Sequence, residues 1–384
     1  MRKLWLTFAQ TATVALAVLF VLTTLKPEWL PQRGQVPQVV ELTQTTQASL
    51  AATRAGSYSD AVRRAAPAVV SIFTSKDVKV PQHPFFNDPL FRRFFGNGGG
   101  EEPRRASGLG SGVIVSARGY ILTNDHVVEA ADEIEVGLAD GKKLRAKVIG
   151  TDQETDLAVL QVDRADLPAI TFGQAENAKV GDVVLAIGNP FGVGQTVTMG
   201  IVSALGRSGL QINTYENFIQ TDAAINPGNS GGALTDAAGN LIGINTAIYS
   251  RTGGSLGIGF AIPVSTARQV MEQIVTTGSV TRGWIGVEAQ EITPELAESF
   301  GLASTSGALI AGVLKGSPAD RGGVKPGDIL LSIDAKPVTD PTAMLNIVAG
   351  LTPGKAAAVS VRRDQKKIDL QVEAGRRPPA QRRR

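Results

Sequence analysis

Short stretches of alternating apolar and polar residues follow one another between Gly108 and Phe260, with turn-forming residues between them at near-regular spacing. This spacing is typical of an all-β barrel or sandwich. An earlier strand is expected near Val69, after a short helix between Tyr58 and Ala66. The other predicted strands are Gly112–Ser116, Tyr120–Thr123, Ile134–Leu138, Leu144–Ile149, Leu157–Val162, Val183–Ile187, Val197–Ala204, Leu241–Ile248 and Gly257–Ile262.

The apolar period changes to that of a helix after Pro263 and ends at Gly278. A smaller α+β unit is predicted beyond it. Its strands are expected at Ile285–Ala289, Ala308–Val313, Ile329–Ile333, Ala357–Val361 and Ile368–Val372, and its helices at Ser317–Arg321 and Pro341–Val348. We therefore predict a mainly β domain over residues 57–265, a connecting helix over 266–281 and a second domain over 282–373.

The first residues of the chain form a different pattern. Arg2 and Lys3 precede an uncharged run of 22 residues from Leu4 to Leu25, and about 20 apolar residues span a bilayer as a helix. We interpret residues 1–26 as a cytoplasmic stub and an uncleaved transmembrane anchor, with a cleaved signal peptide as the alternative. Residues 27–56, rich in Pro, Gln, Thr and Ala, are interpreted as a linker.

Composition excludes several classes of function. The 384 residues include no cysteine, which rules out a catalytic thiol and a Cys-based zinc site. The net charge is only +3, and five arginines lie in the last nine residues. The basic character therefore belongs to a tail, residues 374–384, and not to a face that binds nucleic acid. No dinucleotide fingerprint is present, so an oxidoreductase is not favoured.

A serine nucleophile is indicated at Ser230, which lies among small residues that favour a sharp turn. A base for it must be sought among only two histidines. His83 lies between Gln82 and Pro84 in a loop, whereas His126 follows a predicted strand. Asp156 opens an apolar strand and is the candidate to orient the base. The order His126, Asp156, Ser230 is the chain order of chymotrypsin-like proteases.

Three segments around these residues resemble the signature segments of the HtrA (Deg) family of serine proteases: Thr123–Val128, Thr155–Leu160 and Asn226–Leu234. One departure is Asp125, where the family often has Asn. The resemblance is strongest to the membrane-anchored DegS type, because an N-terminal anchor precedes one protease and one further domain. It implies a chymotrypsin-like double β-barrel fold, a homotrimer built around Tyr58 to Ala66, and no cofactor or metal.

The resemblance also implies an activity and a place. The protein is expected to be an ATP-independent serine endopeptidase on the periplasmic side of the inner membrane, acting on misfolded or regulatory proteins. Gly228, Asn229 and Ser230 are expected to form the oxyanion hole, with the N–H groups of the first and last as donors. Ala224, at the base of the expected primary pocket, favours cleavage after small or medium apolar residues, although Asp222 lies close in sequence.

Residues Ser317–Leu330 look like the signature of a PDZ domain, which captures C-terminal peptides by adding them to a sheet edge. The matching carboxylate loop comprises Trp284, Ile285, Gly286 and Val287. We expect peptide binding there to regulate the protease, because Asn229 replaces the aspartate that activates trypsin-like zymogens. The glycine-rich stretches Gly206–Gly209 and Ser250–Gly259 are candidate switching loops. The alternative function is a PDZ-based chaperone or scaffold with a vestigial protease site.

Overall fold

A computed structural model describes residues 56–78, 104–129, 131–189, 194–248 and 254–378. The predicted membrane span and most of the predicted linker lie outside these ranges. Of the helices within the described ranges, none has the length and apolar character needed to cross a membrane.

The first half of the larger domain is a closed antiparallel barrel with strand order β1-β2-β3-β6-β5-β4. Strand β4 alternates between exposed and buried residues, whereas β3 and β6 are buried along almost their whole length. Closure removes the exposed strand edges that an open sheet would carry. The strands are β1 (Val69–Val78), β2 (Arg104–Ile114), β3 (Tyr120–Thr123), β4 (Glu133–Gly137), β5 (Lys143–Asp152) and β6 (Leu157–Val162).

A second closed barrel follows, with strand order β10-β11-β12-β9-β8-β7. Its strands are β7 (Val183–Gly188), β8 (Thr196–Arg207), β9 (Phe218–Thr221), β10 (Ala233–Asp236), β11 (Leu241–Ile248) and β12 (Gly259–Pro263). The prediction of a mainly β, double-barrel fold is confirmed. Strands β9 and β10 were not predicted, because each has only four residues and no clear alternation.

The helices of this domain are α1 (Ser59–Ala65), α2 (Asp125–Val128) and α3 (Val264–Thr277), with short 3₁₀ turns at Ala66–Ala68 and Ala175–Asn177. Helix α3 begins before residue 266, and its apolar face joins the core of the barrels through Val264, Val270 and Ile274. It is therefore part of this domain. Gly278, at φ +76°, ends it with a left-handed residue whose N–H donates to Ile274 O.

The second domain has its own core around a five-strand path in the order β14-β15-β16-β18-β19, with β17 beside β16. Its elements are β13 (Gly283–Trp284), β14 (Val287–Gln290), α4 (Pro294–Ser299), β15 (Ala308–Val313), α5 (Pro318–Arg321), β16 (Ile329–Ile333), β17 (Lys336–Pro337), α6 (Pro341–Ala349), β18 (Ala356–Arg363), β19 (Lys366–Glu373) and β20 (Gly375–Arg376).

Three expectations for this domain differ from the structure. The predicted strand over 285–289 is interrupted at Gly286, whose φ of +77° turns the chain between β13 and β14. Helix α4 was not predicted, although Thr293 as its cap and Pro294 at its first position are the signals that mark it. Residues 375–376, assigned to the tail, pair with β13 and so belong to the domain.

Candidate active site

His126 and Asp156 meet at one end of the first barrel, where β3 and β6 pair side by side. His126 lies in the short helix α2 directly after β3, and Asp156 directly precedes β6. The His126 ring donates through Nδ1 to Asp156 Oδ2 at 2.8 Å, and the His126 backbone N–H donates to Asp156 Oδ1 at 3.0 Å. Two hydrogen bonds from one residue hold the imidazole in a single orientation.

Asp156 has a left-handed backbone, with φ of +60°. Asp and Asn adopt this conformation more readily than most other non-glycine residues. Asn124 supports the turn by donating from Nδ2 to the Asp156 carbonyl at 2.8 Å. The side chain of Asp156 is only 12% exposed, whereas that of His126 is 49% exposed. The carboxylate is thus enclosed while the imidazole faces a site that a substrate can reach.

Thr246, on β11 of the second barrel, donates from Oγ1 to Asp156 Oδ2 at 2.7 Å. Thr246 is only 5% exposed. Sequence reasoning missed this partner, since nothing in the local sequence distinguishes Thr246 from another core threonine. The contact joins the second barrel to the carboxylate that orients His126.

The pKa of His126 lies above its ordinary value. Burial alone would lower this pKa, but the hydrogen bond that His126 donates to Asp156 and the negative charges of Asp156, Asp125 and Glu129 outweigh it. The site therefore stabilises the imidazolium form of His126.

Ser230 lies on a tight turn between Ile225 and Ala233, in which Gly228 and Gly231 have φ of +102° and +82°. A Cβ at Gly231 would lie 2.1 Å from the backbone oxygen of Ser111, so only glycine fits there. The Ser230 hydroxyl donates to Thr246 O at 3.2 Å. The Ser230 hydroxyl therefore lies against β11, the strand whose Thr246 hydroxyl is hydrogen-bonded to Asp156.

The N–H groups of Gly228 and Ser230 donate to no acceptor among the residues that the structure describes. They are the two donors expected for an oxyanion hole. Asn229, the residue expected between these two donors, is buried with 1% exposure, and its N–H donates to Asn226 O at 2.9 Å. Its N–H is therefore engaged within the turn.

Ser111, on β2, braces the same turn from the first barrel. Its Oγ donates to Gly228 O at 2.6 Å and accepts from the Asn189 N–H at 2.8 Å. Its own N–H donates to Ser230 O at 2.8 Å. Sequence reasoning also missed Ser111, because it lies more than a hundred residues before the turn that it supports.

Ala224, the residue expected at the base of the primary pocket, is half-buried. Its carbonyl accepts from Thr198 Oγ1 at 2.8 Å and from Asn229 Nδ2 at 3.4 Å. Asp222 is exposed, and its Oδ1 accepts from the Ile201 N–H of β8 at 2.7 Å. Ile225 is buried, and a Cβ at Gly259 would lie 2.8 Å from its Cδ1.

Ion pairs join the second domain to the turn that carries Asp156. Arg282 donates to both carboxylate oxygens of Asp152, at 2.7 and 2.5 Å, and Arg377 donates to Glu154 Oε1 at 2.6 Å. Both guanidinium groups lie over the ring of Tyr215, at 4.4 and 5.5 Å. Asp152 is only 7% exposed, so its ion pair with Arg282 is buried.

The predicted carboxylate loop lies at the free edge of the second domain's sheet. The carbonyls of Ile285 and Gly286 accept hydrogen bonds at 2.9 Å from Ala319 and Leu314. The N–H groups of these same two residues have no acceptor within the described ranges. Val287 begins β14, which pairs with β15 on one side, and Trp284 is in the ladder with β20.

A metal-binding cluster is not evident in the described part of the chain, where no three His, Asp or Glu side chains converge suitably. The arrangement of His126, Asp156 and Ser230 can instead support nucleophilic attack by a hydroxyl, with a base and two oxyanion donors supplied by the protein.

Family comparisons match both domains: residues 110–244 match a trypsin-like peptidase domain, and residues 283–374 match a PDZ domain. The chain is 47% identical over 333 residues to a probable periplasmic serine endoprotease DegP-like of Ectopseudomonas mendocina, covering 83% of this chain and 70% of the relative. A protein of the same description from Hahella chejuensis is 48% identical over 326 residues, covering 83% of this chain and 69% of the relative.

Solved structures give a similar result. The HtrA-type protease AlgW with decapeptide is 56% identical, with a TM-score of 0.73 and coverage of 85% of this chain and 100% of that chain. AlgW with tripeptide is 53% identical, with a TM-score of 0.74 and coverage of 85% and 99%. The serine endoprotease from Yersinia pestis is 38% identical, with a TM-score of 0.62 and coverage of 84% and 99%.

Proposed function

Since the chain belongs to the HtrA (Deg) family of PDZ-containing serine endoproteases, we propose that His126, Asp156 and Ser230 form its catalytic triad. The observation that carries this assignment is the doubly hydrogen-bonded pair of His126 and Asp156. Thr246 contacts both the Asp156 carboxylate and the Ser230 hydroxyl, and so connects the pair to the nucleophile.

The roles follow from the positions of these groups. Ser230 Oγ attacks the scissile carbonyl while His126 Nε2 takes its proton, and His126 later returns that proton to the leaving amine. Asp156 holds the proton on Nδ1 and stabilises the imidazolium. The free N–H groups of Gly228 and Ser230 are the donors to the oxyanion.

Substrate preference is proposed to be for small or medium apolar residues before the cleaved bond. The support is the apolar side chains of Ala224 and Ile225, together with the hydrogen bond that holds Asp222 Oδ1 against β8. The substrates are proposed to be misfolded or regulatory proteins of the periplasm.

Regulation is proposed to come from C-terminal peptides that bind to the PDZ domain. The unpaired N–H groups of Ile285 and Gly286 suit a terminal carboxylate, and the free edge of β14 from Val287 onward suits strand addition. The pairs of Arg282 with Asp152 and of Arg377 with Glu154 offer a physical route from this domain to the turn of Asp156. AlgW has been solved with peptides of two lengths.

Membrane attachment through Leu4–Leu25 and assembly as a homotrimer around Tyr58 to Ala66 complete the proposal. Light scattering after gel filtration of a chain that lacks residues 1–30 measures the assembly. A monomer at micromolar concentration would count against the trimer.

Fluorophosphonate labelling tests the triad. We expect covalent labelling of Ser230 in the wild-type chain, stimulated by a peptide with a free C-terminal carboxylate and not by its amidated form. Ser230→Ala should abolish labelling and cleavage but leave peptide binding intact. Absence of labelling with and without peptide, in a folded protein that still binds peptides, would favour the chaperone or scaffold function.

A further inference from the structure

Asp125 is a buried carboxyl group that the reaction described above does not use. It begins α2, directly precedes His126, and is only 5% exposed. A polar interaction with the side chain of Thr151, on β5, lowers the pKa of Asp125. Asp is almost never buried to this degree without a charged partner. Within the described ranges, however, no lysine or arginine forms an ion pair with it.

The charged groups around Asp125 are acids, and two of them already have partners. Asp152 is paired with Arg282, and Asp156 is hydrogen-bonded to His126. Glu129 lies one helical turn further along, is exposed, and donates its N–H to Asp125 O at 2.8 Å. His126 is therefore the group in contact with this cluster that can acquire a positive charge during the reaction.

Burial is the largest influence on Asp125 and raises its pKa. The polar interaction with Thr151 opposes this, and the charges of Glu129, Asp156 and Asp152 add to the rise. In the opposite direction, the charge of Asp125 is one of the influences that raise the pKa of His126. The two groups are thus coupled through their charges although their side chains share no hydrogen bond.

We propose that Asp125 is a positioning residue that acts through its charge, as a second carboxylate that stabilises the imidazolium form of His126 and sets the lower pH limit of the endopeptidase. This inference rests on the proposed role of His126 as the base. In the free enzyme His126 must be neutral to accept a proton, so a nearby negative charge raises the pH at which the enzyme becomes active. During attack the same charge stabilises the imidazolium that forms, and so it assists the reaction.

The assisted step is the formation of the tetrahedral intermediate. The proton moves from Ser230 Oγ to His126 Nε2, the bond from Oγ to the carbonyl carbon forms, and the carbonyl π electrons move onto the oxygen. The imidazolium that results then faces two carboxylates, Asp156 and Asp125, where one would otherwise act alone.

The test is the pH dependence of fluorophosphonate labelling in the full chain with activating peptide, measured from about pH 5 to pH 9. Asp125→Asn keeps the shape of the side chain and removes its charge. We expect the midpoint of the acid limb to fall by roughly 0.5 to 1 pH unit, and the plateau rate at high pH to fall about two- to tenfold. The two pH profiles should therefore cross.

Two further variants sharpen the test. Glu129→Gln removes an exposed charge from the same helix, so we expect a shift below about 0.3 pH unit because solvent screens it. Thr151→Val removes the polar interaction that favours ionised Asp125, so it should lower the acid-limb midpoint in part. Thr151 is exposed on β5, and the fold should tolerate this change.

An unchanged acid limb in Asp125→Asn, or a uniform loss of rate at every pH, would overturn the inference and leave Asp125 a structural residue. Urea unfolding checks that each variant is folded; if Asp125→Asn is not, the profile of Thr151→Val decides. Labelling of the His126→Ala variant distinguishes a failure of the inference about Asp125 from a failure of the proposed function. If that variant reacts as fast as the wild type, His126 is not the base.

Discussion

Thr246→Val is the substitution that tests most directly whether the second barrel holds the catalytic carboxylate in place. Valine has nearly the same shape as threonine, so the buried position on β11 should stay filled. The change removes the hydroxyl that donates to Asp156 Oδ2 at 2.7 Å. It leaves intact the Thr246 carbonyl that accepts from Ser230 Oγ.

The magnitude follows from the kind of hydrogen bond that is lost. A hydrogen bond to a charged group contributes about 1.5–3 kcal/mol. Asp156 carries its charge before and during the reaction, so part of this loss affects both states equally. We therefore expect about 1.4 kcal/mol to be lost in the transition state, or roughly a tenfold fall in the second-order rate of labelling.

The assay compares labelling rates of wild type, Thr246→Val and Thr246→Ser at one pH with activating peptide. Serine restores the hydroxyl, so that variant should react within about threefold of the wild type. If Thr246→Val is folded and labels as fast as the wild type, Thr246 does not hold Asp156 and the reasoning is refuted.

The remaining predictions concern pH and three glycines. The pKa of His126 is raised in the folded state. The stability that His126 contributes is therefore complete below its unfolded-state pKa and is lost as pH rises through its folded-state pKa, while the labelling rate increases over the same range. Urea unfolding and labelling, measured at several pH values, should show opposite trends. Gly231→Ala, at φ +82° and with a Cβ 2.1 Å from a backbone oxygen of β2, should abolish labelling. Gly141→Ala, at φ +81° in open space, should lower the unfolding free energy by only about 1 kcal/mol. Gly286→Ala, whose Cβ would lie 2.4 Å from Ser317 Cβ, should weaken peptide binding at least tenfold by fluorescence anisotropy and leave unstimulated labelling unchanged.

Local pattern was sufficient for most of the elements. Strands β3, β6, β11, β15 and β16 have the predicted bounds, because each is a largely apolar stretch that lies between clear turn residues. Helix α3 agrees as well, since its apolar period continues until a left-handed glycine ends it. Among the elements that were missed are α2, β9, β10, β17 and α4, each of which has six residues or fewer.

The residues of the candidate site likewise fall into those that the sequence could propose and those that it could not. His126, Asp156 and Ser230 could be proposed from residue type, chain order and the presence of only two histidines. Ser111 and Thr246 could not, since a hydroxyl in a strand has no signature and its partners lie far along the chain. Sequence likewise does not show which N–H groups of a turn are already engaged, as that of Asn229 is by Asn226 O.

The sequence by itself therefore predicted a mainly β domain, a smaller α+β domain and a set of candidate reacting groups, because these depend on periods and residue types that are local. The double barrel and the PDZ domain were predicted from the resemblance of its motifs to a known family. The tertiary structure alone decided what surrounds them. It placed Thr246 and Ser111 behind the nucleophile, joined Arg282 to Asp152, and buried Asp125 beside the base. Burial and charge depend on which distant segments pack together, and that arrangement sets whether a carboxylate is a surface residue or an influence on catalysis.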